Sequence, residues 1–150
     1  MRRCGERLCV GAVDGLWLFD GARWERRSSA SGALPSDWVV AATTDGARIF
    51  AATYDGGLAR LDGAEVRRFG RGDGLPEVRV NPHALALERG VLLAGTPSGL
   101  LALEGDSAAR VSLALPTADV TAVAPSSCGG VWLGFRGGLV RVRLADGEDA

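Results

Sequence analysis

The sequence predicts an all-β chain of about four four-stranded antiparallel units in series, and three observations predict it. A Gly-Leu pair after a short polar turn recurs as Gly15-Leu16, Gly57-Leu58, Gly99-Leu100 and Gly138-Leu139, at spacings of 42, 42 and 39 residues. A second marker keeps the same beat, since Leu34-Pro35, Leu75-Pro76 and Leu115-Pro116 stand 41 and 40 residues apart. No stretch sustains the 3.6-residue apolar period of an amphipathic helix, so helix is expected to be nearly absent. Self-similarity at a fixed period of this length marks a repeat architecture.

The second repeat shows the elements best. Four short strands, A to D, are expected at 38–43, 48–53, 58–61 and 65–69. Asp45-Gly46 and Asp62-Gly63 are hairpin dipeptides, and Asp55-Gly56-Gly57 supplies the positive φ of a tight reversal. The B strands (Leu8-Cys9-Val10-Gly11, Ile49-Phe50-Ala51-Ala52, Leu92-Leu93-Ala94-Gly95, Val131-Trp132-Leu133-Gly134) are apolar at successive positions, which requires burial on both faces. The D strands carry charge, as in Arg23-Trp24-Glu25-Arg26-Arg27, which guards an exposed sheet edge. Such units are the blades of a β-propeller, in a single domain 1–150 with repeats at about 6–28, 38–70, 78–113 and 119–144. A β-sandwich also uses short strands, but it predicts alternation in the B strands and leaves the spacing as coincidence.

The ends predict an incomplete or small ring. The first repeat has room for B, C and D, and the last for A, B and C before the polar tail 145–150, giving fourteen strands. Leu16, Leu18, Trp132 and Leu139 are then expected on open apolar flanks, which mark interaction sites. Three outcomes stay open: four blades close on themselves, the flanks join a second copy or a partner propeller chain, or the chain is a piece of a longer propeller.

Composition narrows the partners. Of 150 residues 47% are hydrophobic, and 17 basic residues, all arginine, balance 18 acidic ones for a net charge of −1. That leaves no field to hold nucleic acid or an anionic membrane. No apolar run reaches the roughly 18 residues of a membrane span, and Met1-Arg2-Arg3-Cys4 leads into no export h-region. A cytoplasmic chain is expected, or a periplasmic one if an upstream segment precedes it. Cys4, Cys9 and Cys128 are odd in number and lack paired spacing, so unpaired thiols are expected. With His83 the only histidine, no metal site is expected, and no phosphate-cradling glycine motif leads into a helix, so no cofactor is expected.

The repeats resemble the two-component regulator propeller repeat. The second carries the resemblance most clearly, in Leu34-Pro35, Val39-Val40, Asp45-Gly46, Ile49-Phe50-Ala51-Ala52-Thr53 and Gly56-Gly57-Leu58. The fourth keeps the pattern's tryptophan as Trp132, where the third has Leu93 and the first Cys9. The resemblance implies blades of an extracytoplasmic sensor that recognises a ligand, often a carbohydrate, and signals to an attached output domain.

In a propeller the B–C and D–A loops emerge on one face, where ligands usually bind. The B–C set is Asp14, Tyr54, Asp55, Ser98 and Arg136, and the D–A set is Asp37, Trp38, Arg71, Asp73, Glu77 and Asp119. Trp38 or Tyr54 beside Asp55 and Arg136 would stack on a sugar and bond its hydroxyls. The plainer reading makes each a solvated turn residue chosen for backbone reasons. Catalysis is not expected, because paired carboxylates or a positioned base are lacking. The competing reading is a lyase-like propeller using His83 with Arg136. Arg71-Gly72-Asp73 spells an adhesion tripeptide but sits where turn preference accounts for it. The expected role is non-catalytic recognition, of a small ligand at the loop face or of a protein at the flanks.

Overall fold

Short apolar runs closed by Asp-Gly and Gly turns form fifteen strands in the computed structural model, which describes residues 1–144. Blade 1 comprises β1 (Arg2–Cys4), β2 (Arg7–Ala12), β3 (Gly15–Phe19) and β4 (Trp24–Arg27). Blade 2 comprises β5 (Val39–Thr44), β6 (Ile49–Thr53), β7 (Leu58–Asp62) and β8 (Glu65–Phe69). Blade 3 comprises β9 (Leu85–Glu88), β10 (Val91–Thr96), β11 (Gly99–Glu104) and β12 (Ser107–Arg110). Blade 4 comprises β13 (Ala122–Pro125), β14 (Val131–Phe135) and β15 (Gly138–Val142). Each sheet is an antiparallel meander whose strands pair in chain order. Among the described residues the only helical element is a 3-10 turn at Arg71–Asp73, so the all-β propeller-type array is as expected.

Three hydrophobic cores join successive blades. Cys9, Leu16, Leu34, Val39, Ala51 and Leu61 lie between blades 1 and 2. Phe50, Leu58, Phe69, Leu85, Leu92 and Leu101 lie between blades 2 and 3. Leu93, Leu100, Val120, Val123, Val131 and Leu133 lie between blades 3 and 4. This explains the continuous apolar runs of β6 and β10: one set of alternate residues packs backward and the other forward. Among the described residues no such core joins blade 4 to blade 1, so the array is an arc.

Close approach fixes two glycines. A Cβ on Gly57, at φ +99°, would stand 2.2 Å from the Phe69 carbonyl oxygen, and one on Gly95 would stand 2.5 Å from that of Val120 in the next blade. The first keeps the B–C turn tight, and the second lets blade 4 pack on blade 3.

Three expectations are corrected. Blade 1 has its A strand, because Arg2, Arg3 and Cys4 pair with Cys9, Leu8 and Arg7 across a turn at Gly5, where φ is +67°. Arg2 and Arg3 point to opposite faces of this innermost strand and give it no apolar signal; Arg2 reaches across to donate to the Thr43 hydroxyl of blade 2 at 3.0 Å. That hairpin also brings Cys4 and Cys9 together, and they form a disulfide instead of two free thiols, leaving Cys128 free and exposed. Leu16 and Leu18 do not face an open flank, being buried against blade 2. The flank of blade 1 is the opposite face, with Leu8, Val10, Trp17 and Phe19. Trp132 and Leu139 are exposed on blade 4 as expected. The expected tail 145–150 lies outside the described residues.

Candidate functional site

Backbone hydrogen bonds bring the B–C and D–A loops to one end of the arc. The Tyr54 amide donates to the Trp38 carbonyl at 2.8 Å, that of Gly57 to Val78 at 2.9 Å, and that of Val120 to Thr96 at 3.0 Å. Buried threonines shape the B–C turns from within. The Thr53 hydroxyl donates to the Gly57 carbonyl at 2.9 Å and accepts from the Gly56 amide at 3.1 Å. Thr96 repeats this with the Gly99 carbonyl at 2.9 Å and the Ser98 amide at 3.2 Å. The threonine that ends the B strand in these two repeats is therefore a turn former, holding the residues after it at the rim.

In blade 2 those residues are Tyr54 and Asp55. The Trp38 ring stacks on Tyr54 with centroids 4.2 Å apart at 26°, and the Arg79 guanidinium lies 4.5 Å from the Tyr54 centroid. Two groups that close cannot share one ring face, so Tyr54 is sandwiched and its π-surface is used. Trp38, 46% exposed, keeps its outer face in solvent. Beside it the Ser36 hydroxyl donates to Asp55, and the Trp38 amide donates to Ser36 Oγ at 3.4 Å. The result is a braced aromatic face rimmed by a hydroxyl and a carboxylate. Stacking and cation–π contacts of this kind are each worth about 0.5–1.5 kcal/mol, enough to hold the ring before any ligand arrives.

Of the expected site residues, the structure thus brings Trp38, Tyr54 and Asp55 together. Asp14, Ser98 and Arg136 each remain on their own blade. Asp14 accepts from Trp17 Nε1 at 3.0 Å and faces Arg26 at 3.7 Å. Ser98 accepts from Arg110 at 3.3 Å beside a 310 Å³ cleft, and Arg136 is exposed on the β14–β15 turn. Most of the D–A set holds loops in shape. Asp37 accepts from the Ser29 amide at 2.6 Å, Asp73 from the Gly70 amide at 2.9 Å, and Glu77 from the Val78 and Arg79 amides. Asp119 accepts from Asn81 at 2.8 Å, and Arg71 donates to the Pro76 carbonyl at 3.3 Å. The Ser29 amide holds the Asp37 carboxyl below its ordinary value, and the Gly70 amide, assisted by Arg67 against some desolvation, does the same for Asp73.

His83, at φ +62°, is exposed beside a 190 Å³ inner cleft. The arginine lining that cleft is Arg2, with Gly11, Ala42 and Leu85 also present. A larger cavity, 570 Å³, opens at the opposite end between blades 1 and 2, with Arg7, Arg27 and Thr44 in its wall. Sequence reasoning missed that cavity, Ser36 and Arg79. Ser36 follows Leu34-Pro35 in the loop that carries Trp38, but its bond to Asp55 and the approach of Arg79 to Tyr54 join loops that only the folded chain brings together. Among the described residues no group of three metal-ligating side chains is assembled.

Propeller-type blades in series, with an aromatic face on the loop end, define the class of protein. The chain is similar to the extracellular domain of a protein described as a hybrid two-component system from B. thetaiotaomicron, with a TM-score of 0.77 at 19% identity. The likeness covers 94% of this chain and 21% of that one, so the chain spans about a fifth of that structure's length. It establishes a related fold. No family model matches the sequence, and no curated protein matches it. No helix among the described residues is long and apolar enough to cross a membrane.

Proposed function

We propose that this chain is a non-catalytic recognition module of the two-component regulator propeller type, binding a small hydroxyl-rich ligand, a carbohydrate, on the loop end of blade 2. The observation that carries the reading is the braced Trp38 ring, with one face free and Ser36 and Asp55 beside it. The free face of a braced indole suits the apolar C–H face of a sugar, while the neighbouring oxygens suit its hydroxyls. Asp14, Ser98 and Arg136 stand on the B–C turns of other blades and would extend contact to a longer ligand. Fold similarity to an extracellular domain and the Cys4–Cys9 disulfide support an oxidising compartment such as the periplasm. Nucleic acid and membrane insertion form no part of this function.

Calorimetric titration with a panel of neutral and acidic oligosaccharides tests the proposal. At least one should bind, and Trp38→Ala should weaken it at least tenfold while Glu65→Ala, exposed at the opposite end of the same blade, leaves it unchanged. Absence of any saccharide binding, or binding indifferent to Trp38→Ala, overturns the reading. The lyase-like alternative would instead need a base at His83, and it is favoured if a His83→Ala variant loses a bond-cleaving activity the wild type possesses.

A further inference from the structure

The two ends of the arc are complementary faces of one repeating interface. At each internal junction a forward face of one blade is covered by the backward face of the next. Phe50 and Leu58 of blade 2 are 5% and 1% exposed under blade 3, and Leu93 and Leu100 of blade 3 are both 0% exposed under blade 4. Strand register makes Trp132 and Leu139 their equivalents in blade 4. The turn leucine pairs with Ala52 in blade 2, Gly95 in blade 3 and Gly134 in blade 4, and Phe50, Leu93 and Trp132 each stand two residues before that position. Trp132 and Leu139 are 41% and 70% exposed.

The covering face at every junction comes from alternate residues of strands B and C, such as Leu92, Ala94, Leu101 and Leu103 of blade 3. Their equivalents in blade 1 are Leu8, Val10, Trp17 and Phe19, with Trp24 stacked on Phe19 at 4.8 Å. A polar contact follows the same register. Arg60 of β7 reaches across to the β11–β12 turn, donating to the Gly105 carbonyl and to Asp106, each at 2.8 Å. Arg141 of β15 is the equivalent of Arg60, and the corresponding turn of blade 1 carries Asp20 and Gly21.

We propose that the blade 4 flank of one copy binds the blade 1 flank of a second copy, continuing the inter-blade packing head to tail, with Trp132 and Leu139 under Leu8, Val10 and Trp17 and with Arg141 against the Asp20–Gly21 turn. Such a heterologous contact is satisfied at both ends when two arcs close into one ring. This goes beyond ligand recognition at Trp38, and either can fail alone.

Light scattering of the full chain over a dilution series tests it. The wild type should give twice the 15.5 kDa chain mass. Leu139→Asp on one flank and Trp24→Asp on the other should each halve that mass with the far-ultraviolet spectrum retained, and mixing the two variants should restore dimer through the one intact pair of flanks. Arg141→Glu provides a second forward-flank variant if Leu139→Asp does not fold. A monomeric wild type, a dimer insensitive to both flanks, or no dimer on mixing overturns the proposal. Saccharide titration of the same samples reads the Trp38 site separately.

Discussion

Thr53→Val removes one hydroxyl and almost no volume, and it isolates what the B–C turn owes to that oxygen. Thr53 is fully buried, and its hydroxyl both donates to the Gly57 carbonyl and accepts from the half-buried Gly56 amide. The carbonyl keeps the Thr53 amide, 2.9 Å away, but the Gly56 amide loses this acceptor. A buried donor left unpaired costs about 1–3 kcal/mol, so a loss of about 2 kcal/mol is expected. For a chain of this size that lowers Tm by roughly 4–8 °C. Thr53→Ser keeps both bonds and loses one methyl, for about 0.8 kcal/mol. Urea unfolding should show the midpoint falling further for valine than for serine, with unchanged slope. Valine within about 0.5 kcal/mol of wild type, which is inside ordinary surface-mutation scatter, or serine as damaging as valine, would refute the turn-forming role.

Without reductant the folded chain should expose one reactive thiol, Cys128, and unfolding with reductant should expose three; three reactive thiols beforehand would disprove the Cys4–Cys9 pairing. Closing so short a loop stabilises by about 2 kcal/mol, so Cys4→Ser should cost that much and Cys128→Ser nearly nothing. Acid should weaken the fold in a defined window. Asp20, held down by the Arg23 and Ala22 amides, and Asp37, held down by the Ser29 amide, both ionise below the ordinary 3.8. Their folded values are depressed, so the stability they add is present above 3.8 and disappears as pH falls through the folded values. Urea midpoints should be flat from pH 7 to about 5 and drop below about 4, and a rise in stability on acidification would contradict the sign.

Repeat spacing, turn dipeptides and the doubly apolar B strands are local or periodic properties, so the sequence alone determined the blades. Strands β6, β7 and β8 begin within one residue of their expected starts. The innermost strand β1 was not legible, because Arg2 and Arg3 give no apolar signal and the partner of Arg2, the Thr43 hydroxyl, lies in the next blade. The disulfide was hidden with it, since that bond exists only once the Gly5 turn folds Cys4 back toward Cys9. The side of a strand that faces inward depends on which neighbour is present, and that is why Leu16 and Leu18 are core while Trp17 and Phe19 form the flank. Trp38 and Tyr54 could be placed on one loop end by topology, but their stacking and the Arg79 cap are contacts between three loops. Such contacts are set by how blades 2 and 3 pack, and only the tertiary structure decides them.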